Sequence, residues 1–171
     1  MIPKARMILF VEDDSKDADL ALAALVKFNS ASRVEFVRDG EEALDYLHCR
    51  GKFKTRSSGA PAVVVIDLKM PKMGGLELVK RIRAEEQLKL IPIVVFSSSR
   101  AESDLIECYQ NGVNAYVVKP LGFHEFMDAV KALAIFWASI NEPPPNAWRE
   151  KVEVQLVTTN EIPAAHPASG G

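Results

Sequence analysis

Five charged or polar side chains stand where short apolar segments of this sequence end: three carboxylates, one hydroxyl and one ammonium. In chain order they are Glu12, Asp13, Asp67, Ser97 and Lys119. Two like charges about 5 Å apart repel by roughly 3 kcal/mol at an effective dielectric constant near 20. Carboxylates that lie so close together therefore need a counter-ion or raised pKa values. The set predicts a site that binds a cation.

The ligand types favour Mg²⁺ as that cation. This ion takes oxygen ligands, keeps several waters and is bound through one or two carboxylates together with a phosphate oxygen. One carboxylate then remains free as a nucleophile, and an aspartate can form an aspartyl phosphate. A lysine and a hydroxyl opposite the metal would complete a clamp on the phosphoryl oxygens. The residue types thus predict phosphoryl transfer to a carboxylate with Mg²⁺ as cofactor.

The apolar pattern predicts strands that alternate with helices. The predicted strands are 7–12, 34–36, 62–66, 91–96 and 115–118. The predicted helices lie at about 15–28, 43–50, 76–86, 101–111 and 122–140. This alternation indicates an α/β fold with a parallel sheet, right-handed crossovers and helices on both faces. Groups that act on a ligand lie at the carboxyl ends of such strands, where all five side chains are expected.

Composition excludes several classes of protein. The 171 residues fit one globular domain with a short extension, and 21 basic against 23 acidic residues give a net charge of −2. No run of lysine or arginine exceeds two residues, so a surface that binds nucleic acid is disfavoured. No uncharged apolar stretch reaches about 18 residues, and the chain start lacks the features of a secretory signal. We expect a cytoplasmic protein that does not engage a membrane.

Several segments around the five side chains resemble the receiver domain of two-component response regulators. The resemblance covers about residues 6–141, taken here as one domain, and leaves 142–171 as a C-terminal extension. It implies a flavodoxin-like five-stranded parallel sheet with strand order 2-1-3-4-5. The segments that carry it are FVEDD at 10–14, RDGEEAL at 38–44, IDLKMP at 66–71, IPIVVFS at 91–97 and GVNAYVVKP at 112–120.

The resemblance implies specific roles for the residues of the metal and phosphoryl site. Asp67 would accept a phosphoryl group from a sensor histidine kinase. Mg²⁺ would be ligated by Asp13, by Asp67 and by the backbone carbonyl of Lys69, whereas Glu12 would act through a water molecule. The protein so implied is not an enzyme. It signals through a change of its surface on phosphorylation.

Four residues have implied roles in the response to phosphorylation. Ser97 would hydrogen-bond to the phosphoryl group, and Lys119 would pair with it. Tyr116 would turn inward and report the phosphorylated state. The peptide bond between Lys119 and Pro120 would be cis, an isomer that is accessible at modest cost only before proline.

Three features are similar to single-domain regulators that pair with phytochrome-type histidine kinases. They are the polar loop at 51–61, the segment Ile135-Phe136-Trp137, and the three consecutive prolines at 143–145. The resemblance implies a light-sensing pathway with a bacteriophytochrome as the kinase partner. The extension after the receiver domain is too short for an additional DNA-binding domain, so the signal is expected to leave through the receiver surface.

The last predicted helix has apolar residues on two faces. The stripe expected to face the core comprises Phe123, Phe126, Met127, Val130, Leu133, Ala134 and Trp137. Phe136 and Ile140 lie off this stripe, which predicts a homodimer. The extension adds a proline-rich linker, a possible strand arm at 152–156 and an end at 160–171 expected to be disordered. The expected dimer contacts are Phe136, Trp137, Ile140 and Trp148.

Three other functions could use similar residues. A phosphatase of the dehalogenase-like class forms an aspartyl phosphate but has an Asp-x-Asp motif, and Lys69 stands where the second Asp would be. A nucleotide or flavin module would need a glycine-rich loop after the first strand, where the acidic segment 12–14 stands instead. A receiver that binds partners without phosphorylation is the third alternative, and the complete set of site residues argues against it.

Overall fold

The computed structural model describes residues 6–27, 33–56 and 59–145. The strands are β1 (Met7–Val11), β2 (Arg33–Val37), β3 (Val63–Ile66), β4 (Ile93–Ser97) and β5 (Ala115–Val118). The helices are α1 (Ser15–Lys27), α2 (Gly40–Leu47), α3 (Gly75–Ala84), α4 (Glu102–Gln110) and α5 (Phe123–Ile135), with a 3₁₀ turn at Gly51–Phe53. Trp148, the predicted strand arm at 152–156 and the predicted disordered end lie outside the described residues.

All neighbouring strands are parallel, and their order is β2-β1-β3-β4-β5. This result confirms the predicted flavodoxin-like sheet. β3 lies at the centre, and all four of its residues are buried, as expected for a strand that helices cover on both faces. β2 and β5 form the edges of the sheet. Because every strand runs in the same direction, the polar residues that follow β1, β3, β4 and β5 meet at one edge.

Successive residues of the strands enter two separate cores, because side chains of a strand point alternately to opposite faces. On one face, Leu9 and Val11 pack with α2, α3 and the buried Cys108 of α4. On the other face, Ile8 and Phe10 pack with α1 and α5. Complete burial of a large apolar side chain stabilises the fold by about 1.5–3 kcal/mol. The strand ends are therefore held from both sides.

Two helices begin near the functional edge with an aspartate cap. The Asp14 Oδ1 atom accepts hydrogen bonds from the backbone N–H groups of Lys16 at 2.8 Å and Asp17 at 3.3 Å. The Asp39 Oδ1 atom accepts one from the backbone N–H of Glu42 at 2.8 Å. These oxygens satisfy N–H groups that have no partner inside the helix. The cap of α1 thereby fixes the position of Asp17.

The C-terminal helix ends earlier than predicted and then changes its winding. α5 ends at Ile135, and a wider π turn over Phe136–Ile140 replaces the last part of the predicted helix. In this turn Ala138 is buried and Trp137 packs against the core. Phe136 and Ile140 are 46% and 67% exposed, which leaves an apolar surface at the end of the helix.

The prediction that Phe123 belongs to the core is wrong. Phe123 is the first residue of α5 and is 57% exposed. Its ring lies edge-on to that of His124, with 5.3 Å between the centroids. The buried residues of α5 begin about one turn later, at Phe126. The apolar stripe of the sequence therefore starts before the helix reaches the core.

Gly75 allows the start of α3 to lie against the backbone that follows β3. A Cβ atom at this position would lie 2.1 Å from the carbonyl oxygen of Asp67 and 2.8 Å from the Cα of Leu68. Both atoms belong to the backbone, so neither can turn away. At Gly74, by contrast, the nearest atom to an added Cβ would be the Leu68 carbonyl oxygen at 3.6 Å, an ordinary contact.

We expect the Gly75→Ala substitution to lower the free energy of unfolding by about 1–3 kcal/mol, because the added methyl group overpacks a backbone contact. The Gly74→Ala substitution serves as the matched control and should change it by less than about 0.5 kcal/mol. Urea denaturation followed by circular dichroism measures both values. Equal destabilisation by the two substitutions would contradict the proposed role of Gly75.

Candidate functional site

Three carboxylates converge at the carboxyl edge of the sheet, as the sequence predicted. Glu12 and Asp13 follow β1, and Asp67 follows β3. One carboxylate oxygen from each of these residues lies within 4.8 Å of the other two. Glu12 and Asp67 are buried, whereas Asp13 is exposed and leaves the cluster open to solvent. Three adjacent carboxylate oxygens with access to water fit a hard divalent cation.

Lys119, which follows β5, provides the positive charge of this cluster. Its Nζ atom lies 2.6 Å from Glu12 Oε2, 2.8 Å from Asp17 Oδ2 and 3.1 Å from Asp67 Oδ2. The Lys119 side chain is only 8% exposed. An ammonium group has three N–H donors, and the three contacts use all of them. The structure thus brings the predicted lysine to the predicted acceptor, together with a carboxylate that the sequence did not indicate.

Burial and ion pairing shift the protonation equilibria of two residues in this cluster. Burial alone would lower the pKa of Lys119, but hydrogen bonds to Asp17 and Glu12 outweigh this effect and hold the pKa above its usual value. Burial raises the pKa of Glu12 to about 7, although Lys119 opposes the rise. The neighbouring charge of Asp67 adds to it, because like charges disfavour ionisation.

Ser97, Ser99 and Tyr116 form a hydrogen-bonded chain beside the carboxylates. Ser97 is buried at the end of β4, and its Oγ atom accepts a hydrogen bond from the backbone N–H of Ser99 at 3.2 Å. The hydroxyl of Tyr116 donates to the carbonyl oxygen of Ser99 at 3.0 Å. One residue of the loop between β4 and α4 thus contacts both predicted switch residues. Its role could not be inferred from sequence, because the contacts come from its backbone.

Lys69 and Pro120 are the remaining predicted site residues. The backbone N–H of Lys69 lies 3.3 Å from Asp67 Oδ1, and the Lys69 side chain is exposed. The predicted cis peptide bond between Lys119 and Pro120 is wrong, since no peptide bond among the described residues is cis. The trans isomer is intrinsically favoured before proline by about 0.5–1 kcal/mol. Metal ligation by the Lys69 carbonyl stays a prediction.

Asp17 is a site residue that the sequence analysis did not identify. An acidic residue in the first turn of a helix is generally favourable there, so it needs no other explanation. Its carboxylate instead contacts the ammonium of Lys119, which lies 102 positions away in the sequence. The local sequence held only a weak signal, the position of Asp17 in the first turn of the helix that follows the acidic segment 12–14.

The arrangement agrees with a comparison against protein families. The sequence model described as "Response regulator receiver domain" matches residues 8–131. The chain therefore belongs to the response regulator receiver family. Phosphorylation on an aspartate is implied by this family, and the parallel sheet with its acidic edge is the corresponding fold.

Within this family the chain is related to phytochrome response regulators. It is 31% identical over 132 residues to "Response regulator Rcp1" of Synechocystis sp. (strain ATCC 27184 / PCC 6803 / Kazusa), covering 77% of this chain and 88% of Rcp1. The phosphorylated cyanobacterial phytochrome response regulator RcpA has a TM-score of 0.76 and 34% identity, covering 83% of this chain and 100% of RcpA. The bacteriophytochrome response regulator RtBRR has 44% identity and a TM-score of 0.66, covering 96% of this chain and 100% of RtBRR.

Two further observations bear on the cofactor and on location. A solved structure of Rcp1, with a TM-score of 0.75 and 29% identity over 82% of this chain and 99% of that one, is of its Mn²⁺-bound form. The acidic cluster of this chain has the donor types for such an ion, since receiver domains bind Mg²⁺ or Mn²⁺ in an acidic pocket. Among residues 6–27, 33–56 and 59–145, no helix is both long and apolar enough to cross a membrane.

The raised pKa of Glu12 leads to a prediction about stability in metal-free buffer. Between pH 4.5 and about 7 the folded protein holds a proton on Glu12 that the unfolded chain releases. The contribution of Glu12 to the free energy of unfolding therefore falls as the pH rises through this interval, by about 3 kcal/mol in total. Denaturant unfolding of wild type and Glu12→Gln across this range measures it. If the free energies of unfolding of wild type and Glu12→Gln change with pH in the same way, the raised pKa of Glu12 is contradicted.

Proposed function

We propose that this protein is a response regulator that accepts a phosphoryl group from a sensor histidine kinase on Asp67. One observation carries the proposal: Asp67 Oδ2 lies 3.1 Å from the ammonium of Lys119, inside a cluster of carboxylates suited to a divalent cation. Asp67 follows β3, the central strand, so both neighbouring strands fix its backbone. A carboxylate held in this way is a nucleophile in a defined position.

The residues of the cluster have complementary roles in the proposed transfer. A carboxylate oxygen of Asp67 forms a bond to phosphorus while the bond between phosphorus and the histidine nitrogen breaks, so the imidazole leaves and an acyl phosphate forms. Lys119 and the hydroxyl of Ser97 stabilise the charge on the phosphoryl oxygens. Asp13, Asp67 and the Lys69 carbonyl would hold Mg²⁺, with Glu12 acting through a water. The bound ion would offset the negative charge of carboxylates and phosphate.

The hydrogen bonds that link Ser97, Ser99 and Tyr116 support a mechanism for the response to phosphorylation. A Ser97 hydroxyl that turns toward the phosphoryl group gives up the hydrogen bond from the Ser99 N–H, which leaves the loop free to move. The Ser99 carbonyl moves with the loop, and Tyr116 loses the position that it holds through this oxygen. Tyr116 then turns inward, and the surface formed by α4, β5 and α5 changes. Phosphorylation would thus bias a two-state element.

The relatives support a place for the protein in light signalling. Because it is similar to regulators named for phytochromes, we propose a bacteriophytochrome as its kinase partner. We further propose that residues 6–141 form the receiver domain, that the protein is cytoplasmic and does not bind nucleic acid, and that it signals by contact with partners rather than as an enzyme. Its near-neutral charge balance favours protein partners over nucleic acid.

The proposal predicts phosphorylation at one residue. Wild-type protein incubated with a small acyl phosphate and Mg²⁺ should gain one phosphoryl group, detected as an increase in intact mass. Asp67→Asn should gain none, because an amide lacks the nucleophilic carboxylate. Asp19→Asn, which removes an exposed carboxylate from α1, is the control and should behave as wild type. A chelator should prevent the reaction. Stable phosphorylation of Asp67→Asn would contradict the assignment.

We also propose that the protein forms a homodimer through the end of α5 and the C-terminal extension. Phe136 and Ile140 present an apolar surface beside Ile135, which is 44% exposed. Trp137, in contrast, packs against the core of its own chain and contributes only its half-buried edge. An exposed apolar surface on one helix is typical of a protein contact. Trp148 remains a predicted contact outside the described residues.

A charged residue in this surface should disrupt the dimer. We expect Phe136→Asp to shift the protein toward a monomer, because association would bury an unpaired carboxylate. Ile106→Asp is the matched control, since Ile106 is 50% exposed but lies on α4, which packs on the opposite face of the sheet. Light scattering at tens of micromolar protein gives the mass of each variant. A monomeric wild type, or a dimer unaffected by Phe136→Asp, would exclude this interface.

A further inference from the structure

We propose that Asp17 is a positioning residue that holds Lys119 before phosphorylation and competes with the phosphoryl group for it. This inference rests on the proposed function of Asp67 and extends that function to a residue of α1. The Asp17 Oδ2 atom lies 2.8 Å from Lys119 Nζ, whereas the Asp67 Oδ2 atom lies at 3.1 Å. The ammonium group therefore contacts the helix more closely than it contacts the acceptor.

The number of donors on Lys119 makes this competition necessary. Its three N–H groups are matched by three carboxylates, from Glu12, Asp17 and Asp67. A phosphoryl group on Asp67 adds new negatively charged oxygen atoms next to the ammonium. The donor that now contacts Asp67 can pass to one phosphoryl oxygen, because the negative charge moves there. No donor is left over, so a second contact with the phosphoryl group requires that Lys119 gives up Glu12 or Asp17.

Exposure decides which contact is exchanged. The Glu12 side chain is 7% exposed, and a buried carboxylate that loses its partner carries a large penalty. The Asp67 side chain is 10% exposed, and on phosphorylation its negative charge passes to the phosphoryl oxygens. The Asp17 side chain is 33% exposed, so water can replace the lost ammonium. Of Glu12 and Asp17, it is accordingly Asp17 that Lys119 releases for the second contact.

The position of Asp17 in the helix supports the same conclusion. Its backbone N–H is held by the Oδ1 atom of Asp14, so the first turn of α1 stays in place whether or not Lys119 is bound. Release of Lys119 therefore requires only that the ammonium moves, without unfolding of the helix. In the unphosphorylated protein, Asp17 lowers the affinity of the pocket for a phosphoryl group, because it occupies a donor that this group needs.

The effect can be measured with beryllofluoride, formed from Be²⁺ and fluoride, as a mimic of the phosphoryl group in the presence of Mg²⁺. Asp17→Asn removes the competing charge while it keeps the shape of the side chain. We expect this variant to bind beryllofluoride about threefold to tenfold more tightly than wild type, by isothermal titration calorimetry. Asp19→Asn removes the same charge from an exposed position of the same helix and should change binding by less than about twofold.

Repeating the Asp17→Asn substitution in a variant without the lysine tests whether Asp17 acts by positioning Lys119 or only through its charge. In Lys119→Gln, which retains the carboxylates and Mg²⁺, the substitution Asp17→Asn should change beryllofluoride affinity by less than about twofold, because the contact is already absent. An effect of equal size in both backgrounds would overturn the inference. If wild type binds beryllofluoride as tightly as Asp17→Asn does, or more tightly, the role of Asp17 is wrong, whereas the function of Asp67 is unaffected. Wild type that binds no beryllofluoride would overturn the function proposed for Asp67, and the competition with it.

Discussion

The buried ammonium group of Lys119 is the interaction on which the arrangement of this site depends. It joins carboxylates that follow β1 and β3 and one on the first turn of α1, while the lysine itself follows β5. A buried cluster of charges adds little net stability, because desolvation offsets much of the attraction. Its geometry is nevertheless strict, since each charge is compensated only where its partner lies. The order of the strands, the cap of α1 and the close approach of α3 all serve this geometry.

The charge balance of the cluster explains why a cation and a phosphoryl group would bind together. Glu12, Asp17 and Asp67 share the ammonium of Lys119, and Asp13 lies beside Glu12 and Asp67, so the pocket repels an incoming phosphate until positive charge is added. A divalent cation supplies that charge from the open side, where Asp13 faces solvent. Burial is the main cause of the raised pKa of Glu12, and the neighbouring negative charge of Asp67 adds to it. A divalent cation and a proton on Glu12 would each reduce the negative charge of the pocket, whereas a phosphoryl group adds to it.

The sequence predicted the sheet and most of the site because these depend on local patterns. A buried parallel strand is a short apolar run, and a polar residue just after it must lie at the carboxyl edge. The resemblance then supplied the strand order, which the structure confirms. Apolar periodicity predicted too many core residues in α5, because it does not indicate where along its length a helix contacts the sheet. Phe123, the first residue of the helix, is exposed for this reason.

The contacts that the sequence could not predict join residues far apart in the chain. An acidic residue in the first turn of a helix has a general explanation, so the type and place of Asp17 did not single it out. Ser99 acts through its backbone N–H and carbonyl, which every residue except proline possesses. In both cases the information lies in the contacts that α1 and the loop after β4 make with β5 and the lysine that follows it. That packing follows from the whole fold rather than from a local motif.

The sheet gives different mechanical support to the residue that would be modified and to those that would respond. β3, which precedes Asp67, is hydrogen-bonded to β1 on one side and β4 on the other. β5, which carries Tyr116 and precedes Lys119, is paired with β4 alone, and all four of its residues are only partly buried. A displacement of β5 would strain one ladder, whereas a displacement of β3 would strain two. The fold thus places the phosphoryl acceptor after a rigid central strand and the responding residues on or after a more easily displaced edge strand. A phosphoryl group on Asp67 would therefore shift β5 while β3, which holds Asp67, stays in place.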